Sequence, residues 1–164
     1  MNATDLRRGH YRRILFCTDF SANADAAFDF AIDAAIRSAG GELCLLHAIP
    51  EPDAQFWRGY ISDGTDMNEK ARAGVEAKID ADYRPRVPAG LPFRVEIQVG
   101  SAAKTIIAFA KEENADLIVL GQQGRGAIGR WLLGNVASKV VCQARCPVLI
   151  VPSGAVISEE KQGN

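Results

Sequence analysis

Residues 116–135 have the sequence Asp-Leu-Ile-Val-Leu-Gly-Gln-Gln-Gly-Arg-Gly-Ala-Ile-Gly-Arg-Trp-Leu-Leu-Gly-Asn, in which a short apolar run precedes a glycine-rich segment. The run Leu117–Leu120 is too short for a helix and indicates a strand that is buried on both faces. After Asn135, apolar residues recur at the spacing of one helical face, at Val136, Val140 and Val141. The stretch therefore predicts a strand, a glycine-rich loop and the start of a helix.

This arrangement is typical of an anion site, most often one for phosphate. Glycine lets a ligand approach the backbone closely, and a helix N-terminus presents unpaired N–H groups and the positive end of the helix dipole. Asn135 is a candidate helix cap, and its amide is a candidate donor to a phosphate oxygen. The loop lacks the ending of a P-loop, and its glycines are too widely spaced for the dinucleotide fingerprint. A glycine-rich connection that binds nothing is the alternative.

The composition is that of an ordinary globular domain. The chain has 164 residues, of which 48% are hydrophobic and 24% charged, and a formal net charge of −1. This length suits one domain with a sizeable core, and the nearly neutral charge argues against nucleic acid as a partner. No apolar run approaches the length of about 18 residues that spans a membrane, and no signal-peptide pattern follows the basic N-terminus. We therefore expect a cytoplasmic protein that binds neither nucleic acid nor membrane.

Strand and helix patterns alternate along the chain. They predict strands at 13–18, 42–49, 93–99, 117–120 and 147–151, and helices at 24–39, 66–83, 102–113 and 136–144. Such alternation predicts an α/β domain with a parallel sheet and helices on both faces. Ligands of open α/β sheets bind beyond the carboxyl ends of the strands. The loops Asp19–Ser21 and Gly121–Gly134 are therefore expected to face one crevice.

The regions outside this pattern predict less. Residues 1–11 are expected to form a flexible leader, residues 12–152 the domain, and the polar residues 153–164 a disordered tail. The irregular stretch 50–65 contains Phe56, Trp57 and Tyr60. These aromatic side chains form either a contact surface or a cover over one edge of the core.

The glycine spacing Gly121-x2-Gly124-x9-Gly134-Asn135 resembles the nucleotide-binding signature of the universal stress protein family, with Asn135 where Ser or Thr is usual. Four pieces are similar to that family in the same order: Ile14–Ser21, Leu45–Ala48, Ala115–Gly121, and Leu132–Val136 through Cys146–Val151. The resemblance covers residues 12–151. It implies a Rossmann-like fold of the adenine nucleotide alpha hydrolase type, with a five-stranded parallel sheet of order 3-2-1-4-5.

The resemblance also implies an ATP site. Asp19 matches the acid that hydrogen-bonds the adenosine part, and Thr18 lies beside it. The positions that match the pocket wall and the phosphate cradle are Cys17, Ala48, Leu120, Gly121, Gly124, Gly134, Asn135 and Val136. Arg125 in the loop is a further candidate for a phosphate contact, and Mg²⁺ or Mn²⁺ is expected to accompany the ATP.

Catalysis has no comparable signal, because no nucleophile and general base are placed beside the expected phosphates. His47 lies among apolar strand residues and is interpreted as a core histidine. The prediction is therefore an ATP-binding stress-response module with at most slow hydrolysis. The alternative is a stress protein that binds no nucleotide and acts through protein contacts.

The last predicted strand, residues 147–151, also suggests a homodimer. By the strand order of the family it lies at an edge of the sheet, and an exposed apolar edge requires a cover or a partner. Antiparallel pairing of two copies about a twofold axis would satisfy both edges, and relatives in the family commonly dimerise in this way. The alternative is a monomer in which residues 155–157 fold back over the edge.

Overall fold

The computed structural model describes residues 11–50, 64–124 and 133–157, without side chains for residues 64–68. Within these ranges the chain forms a five-stranded parallel sheet of order β3-β2-β1-β4-β5 and four helices. The strands are β1 (Arg13–Cys17), β2 (Glu42–Ile49), β3 (Phe93–Val99), β4 (Leu117–Gly121) and β5 (Val148–Val151). The helices are α1 (Ala22–Ile36), α2 (Gly64–Asp82), α3 (Ala102–Glu112) and α4 (Asn135–Gln143). The predicted fold class and strand order are confirmed.

The central strand β1 is buried on both faces. It pairs in parallel with β2 on one side and with β4 on the other, so that Ile14 lies beside both Leu43 and Leu117. Successive side chains of a strand point to opposite faces. Ile14 and Phe16 accordingly enter one core cluster, and Leu15 and Cys17 enter the other.

Helices cover each face of the sheet, which is why apolar residues occupy successive positions in these strands. On one face, α1 contributes Ala27, Phe28 and Ala31, and the end of α2 contributes Ile79. The other face is covered by α3 and α4, through residues such as Ile106 and Val140. The buried face of α1 consists mostly of alanines, whose small side chains let the helix lie close to the sheet.

An arginine joins the two helices on the first face. Arg86, in a single 3₁₀ turn after α2, forms ion pairs with Asp25 at 2.5 Å and Asp29 at 2.7 Å on α1. The guanidinium group also lies 4.9 Å from the centre of the Phe28 ring. These contacts fix the end of α2 against the start of α1, which is the end of the sheet where the candidate site lies.

Two local predictions need correction. The first helix ends at Ile36, before Gly40, because the chain must turn back to β2. The face of α4 that packs on the sheet consists of Ala137 and Val140, whereas Val136 and Val141 are 37% and 46% exposed. The valine spacing was therefore helical, but it did not identify the buried face.

The ends of the chain are described only in part. Residues 1–10 and 158–164, and the aromatic stretch 51–63, lie outside the described residues. Within the expected tail, the Ser153 hydroxyl donates a hydrogen bond to Asn23 Oδ1 at 2.7 Å, and Ala155 packs against the first core cluster. None of the described helices is long and apolar enough to cross a bilayer.

Candidate functional site

The candidate site lies at the carboxyl ends of β1 and β4. These strands are neighbours in the sheet, although β2, β3 and the helices α1, α2 and α3 separate them along the chain, so the order of winding reverses between them. Crevices at such reversals are the usual ligand sites of open α/β sheets. The loop after β1 and the loop after β4 meet here, as the sequence predicted.

The loop after β1 is a tight, hydrogen-bonded turn. The Ser21 N–H donates to Asp19 Oδ1 at 3.0 Å, which makes an Asx turn. Ser21 is the N-cap of α1, and its side chain accepts from the Ala24 N–H at 3.2 Å. Phe20 has φ of 61°, a left-handed conformation that is rare for a bulky residue. Backbone strain of this kind is concentrated at functional sites and requires support from its surroundings.

The three signature glycines lie against protein groups. A Cβ atom on Gly121 would lie 2.8 Å from the Asn23 carbonyl carbon, since the start of α1 packs directly on this backbone. A Cβ atom on Gly124 would lie 2.5 Å from Asp19 Oδ2. Gly134 donates its N–H to Gln122 O at 2.8 Å. The glycines therefore bring the two loops together, and Gly124 places the Asp19 carboxylate beside the glycine loop.

Asn23 connects the same elements from the side. Its Nδ2 donates to Gln123 O at 3.0 Å, and its Oδ1 accepts from the Ser153 hydroxyl. One side chain on the first turn of α1 thus holds the loop after β4 and the segment after β5. Its position two residues after the Asx turn gave no sequence signal, because its two partners lie 100 and 130 residues away along the chain.

The start of α4 corrects one prediction. Asn135 is the first residue of the helix and Gly134 is its N-cap, and no side chain caps the helix. The Gly134 carbonyl accepts the first helical hydrogen bond, from the Ser138 N–H at 2.9 Å. Asn135 and Val136 are exposed. In contrast to Ser21 of α1, the N-cap residue of this helix has no side-chain acceptor for the N-terminal N–H groups, so those donors suit an anion.

The remaining candidate residues differ in their exposure. Cys17 and Leu120 are buried on the face of the sheet that α3 and α4 cover, and Ala48 is half-buried. Burial raises the pKa of the Cys17 thiol well above its usual value, so it stays neutral and packs as an apolar side chain. Arg125, Arg130 and Trp131 lie outside the described residues.

Thr18 is buried, and its hydroxyl is already hydrogen-bonded within the protein. Its Oγ1 lies 2.7 Å from the Tyr83 hydroxyl and accepts the Phe20 N–H at 2.9 Å. Its carbonyl oxygen accepts a hydrogen bond from His47 Nδ1 at 2.8 Å. His47 is therefore hydrogen-bonded inside the fold, in agreement with its interpretation as a structural histidine. Tyr83 was missed as a site residue, because nothing in the local sequence links it to the first strand.

A second groove opens on the α1–α2 side of the same end of the sheet. It has a volume of about 470 Å³ and is lined by Phe20, Ser21, Ala22, Asp25, Asp82, Tyr83 and Arg86. Its cation, Arg86, is already held by two aspartates, and its other charged groups are acidic. This groove is therefore less suited to phosphate than the start of α4. Across the described ranges, no group of His, Cys, Asp and Glu side chains is arranged to hold a metal ion.

Comparison with known proteins identifies the family. The model of the universal stress protein family matches residues 10–152. A universal stress protein of Thermus aquaticus is 36% identical over 145 residues, which cover 86% of this chain and 98% of the relative. The chain belongs to the universal stress protein family.

Solved structures agree with this assignment. The structure of the protein MJ0577 has a TM-score of 0.76 and 26% identity, and the match covers 90% of this chain and 99% of that one. A universal stress protein solved in complex with cAMP has a TM-score of 0.55 and 27% identity, with 87% and 97% of the two chains covered. The shared fold extends over nearly the whole of both relatives.

We predict that the signature glycines differ in their importance for stability. Gly121→Ala forces a Cβ atom against the backbone of α1 and should lower the free energy of unfolding by about 1–3 kcal/mol. Gly124→Ala meets only the end of one side chain, that of Asp19, and no backbone, so the loss of unfolding free energy should stay below about 1 kcal/mol. Urea unfolding of both variants measures the difference. Equal losses would contradict this assignment of the two contacts.

Proposed function

We propose that this universal stress protein binds an adenine nucleotide, and specifically ATP, in the crevice between the loops after β1 and β4. The observation that carries the proposal is the contact between the Asp19 carboxylate and Gly124. It brings a hydrogen-bond acceptor for the adenosine part to the edge of the loop that leads to α4. The crevice would then contain both the Asp19 acceptor for the adenosine part and the start of α4, which would bind the phosphates.

The phosphates would lie at the start of α4. Gly134 is the N-cap of this helix and offers no side-chain cap, and Asn135 and Val136 in its first turn are exposed. Such a helix start favours negative charge. The exposed Asn135 side chain offers an amide donor. Arg125 belongs to the proposal as a phosphate contact, from outside the described residues.

The adenosine part would lie nearer to the ends of β1 and β2. Asp19 would accept from it, and Cys17, Ala48, Leu120 and Gly121 would form the wall of the pocket. A metal ion, Mg²⁺ or Mn²⁺, would enter with the triphosphate that it neutralises. Because no described nucleophile and base flank the phosphates, the proposed role is that of a nucleotide-dependent regulatory module in the cytoplasm, with at most slow hydrolysis.

The relatives support the binding of an adenine nucleotide, but they do not distinguish ATP from other adenine nucleotides. The relative solved with cAMP binds a nucleotide that has a single phosphate. The alternative is a stress protein that acts only through protein contacts. Since Gly121 and Gly134 both have structural partners in the fold, the glycine spacing by itself is compatible with either function, and binding must be measured.

We predict that calorimetric titration with Mg-ATP shows binding, and that protein purified without added nucleotide releases adenine nucleotide on denaturation. Titrations with AMP and cAMP test whether the second and third phosphates contribute. Gly124→Val should abolish binding, because a branched side chain would occupy the place of the Asp19 carboxylate. Gly74→Val, at an exposed helical position with open space around it, is the matched control and should bind normally. No released nucleotide and no heat up to millimolar ATP would refute the proposal.

Substitutions at Asn135 test whether its side-chain amide contacts the phosphates. We predict that Asn135→Ala weakens ATP binding and leaves adenosine binding unchanged, because only the phosphates face its amide. Unfolding stability should change by less than about 0.5 kcal/mol, since the residue is exposed and does not cap α4. Asn135→Ser keeps a donor and should retain most of the ATP affinity. Equal losses for ATP and adenosine would show that Asn135 makes no phosphate contact.

We further propose that two copies pair through β5. This strand lies at an edge of the sheet, beside β4 alone, and its Leu149 side chain is 36% exposed. Leu149→Lys should convert a dimer into a monomer in light scattering at micromolar concentration, because it buries a charge at the contact. Val99→Lys, on the opposite edge strand β3, is the control and should leave the mass unchanged. A monomeric mass for the unaltered chain would contradict the dimer.

A further inference from the structure

Thr18 is at the centre of a hydrogen-bonded group that the nucleotide proposal does not use. It is one of two buried polar residues in the described part of the chain. Its N–H donates to Leu46 O at 3.1 Å, its carbonyl oxygen accepts from His47, and its hydroxyl contacts Tyr83 and Phe20. Every polar atom of this residue is therefore bound by another part of the protein.

Tyr83 reaches Thr18 from the end of α2 and has little freedom to move. It is 1% exposed, and its ring centre lies 4.7 Å from that of Phe28 and 5.6 Å from that of Phe16. Burial raises the pKa of its hydroxyl, so the group is protonated at neutral pH and one of the two hydroxyls donates to the other. The buried ring thus holds the hydroxyl contact in a fixed place.

His47 holds the other side of Thr18. The Thr18 carbonyl can only accept, so His47 Nδ1 carries the proton in this hydrogen bond of 2.8 Å. The His47 ring is also packed on Phe20, with 4.7 Å between the ring centres. Thr18 and Phe20, the residues before and after Asp19, therefore both contact His47 of β2 and Tyr83, which directly follows α2.

This grip supports a conformation that the loop would not adopt easily by itself. Phe20 has a left-handed φ of 61°, which costs free energy for a residue with a Cβ atom. Its N–H is bound to the Thr18 hydroxyl, and the next N–H, of Ser21, is bound to the Asp19 carboxylate. Release of Thr18 would let the turn relax and would move the carboxylate from its place beside Gly124.

We propose that Thr18, His47 and Tyr83 form a clamp that positions Asp19 for the nucleotide. The proposal rests on the proposed function and deepens it: the three are positioning residues, and Thr18 acts without touching the ligand. A loop that is ordered before binding does not lose conformational freedom when the nucleotide arrives, and such preorganisation increases affinity. The clamp should therefore affect both the unliganded loop and the affinity.

The test uses the full chain and removes single groups from the clamp. Tyr83→Phe deletes one oxygen and keeps the ring, Thr18→Val deletes the hydroxyl with little change in shape, and His47→Leu deletes the ring donor. Without nucleotide, amide hydrogen exchange at Phe20 and Ser21 should become faster in each variant. The dissociation constant for ATP should rise roughly threefold to tenfold, the range expected for the loss of one buried hydrogen bond.

Matched variants separate positioning from a general loss of stability. Ser38 is the other buried polar residue, and its hydroxyl donates to Ala34 O at the far end of α1. Ser38→Ala should therefore lower stability without changing exchange at Phe20 or ATP affinity. Thr18→Ser keeps the hydroxyl, and His47→Asn keeps a side-chain donor at the position of Nδ1. Both variants should therefore retain most of the ATP affinity that Thr18→Val and His47→Leu lose. Tyr83→Phe combined with Thr18→Val should cost no more affinity than Thr18→Val alone.

Hydrogen exchange tests whether these side chains fix the loop, and ATP affinity tests whether the fixed loop contributes to nucleotide binding. Unchanged exchange at Phe20 and Ser21 in the clamp variants would overturn the clamp, whether or not nucleotide binds. Faster exchange with unchanged ATP affinity would overturn the positioning role alone. If the unaltered chain binds no nucleotide, the proposed function and the role of the clamp in binding both fail, while exchange still decides whether these side chains fix the loop.

Discussion

The parallel pairing of β1 with β4 is the constraint on which the rest of the structure depends. It places Ile14 beside Leu117 at the centre of the sheet, and it brings two distant loops to one edge. Because both faces of these strands are covered by helices, the pairing cannot shift by one residue without moving apolar side chains to the wrong core layer. The positions of Asp19 and Gly124 follow from this register.

Two glycines of the signature are required by packing within the fold, besides the proposed role of the signature in ligand binding. Gly121 allows α1 to lie on the backbone of β4, and Gly134 allows the returning chain to bond to Gln122. Close packing of backbone on backbone excludes a Cβ atom at Gly121 and would crowd one at Gly134. Gly124 differs, because its neighbour is the carboxylate of a side chain and not backbone. It is therefore the glycine whose replacement bears most directly on the proposed binding.

The geometry of the site depends on contacts between elements that are distant in the chain. Thr18 receives side chains from β2 and from the end of α2, and Asn23 bridges the loops after β4 and β5. Arg86 holds the end of α2 against α1, which keeps Tyr83 within reach of Thr18. The turn that carries Asp19 is thus supported by the whole layer of helices on that face.

The sequence by itself determined the fold class, the parallel sheet and the meeting of the two loops. Runs of apolar residues and the alternation of strand and helix report burial and order along the chain, and these are local properties. The strand order came from resemblance to the family and was confirmed. The sequence also placed Asp19 and Ser21 in the loop after the first strand, since the end of an apolar run is a local feature.

Only the tertiary structure decided how the site is supported. Asn135 was predicted to cap α4. The hydrogen bond from the Gly134 N–H to Gln122 O fixes the chain before the helix, and Gly134 is the N-cap instead. Likewise, Val136 and Val141 have helical spacing, but the packing of α4 buries Ala137 and Val140 instead. Tyr83 and His47 hold Thr18 across 65 and 29 residues of sequence. Such contacts form only when the helices are packed on the sheet, so no local pattern of residues records them.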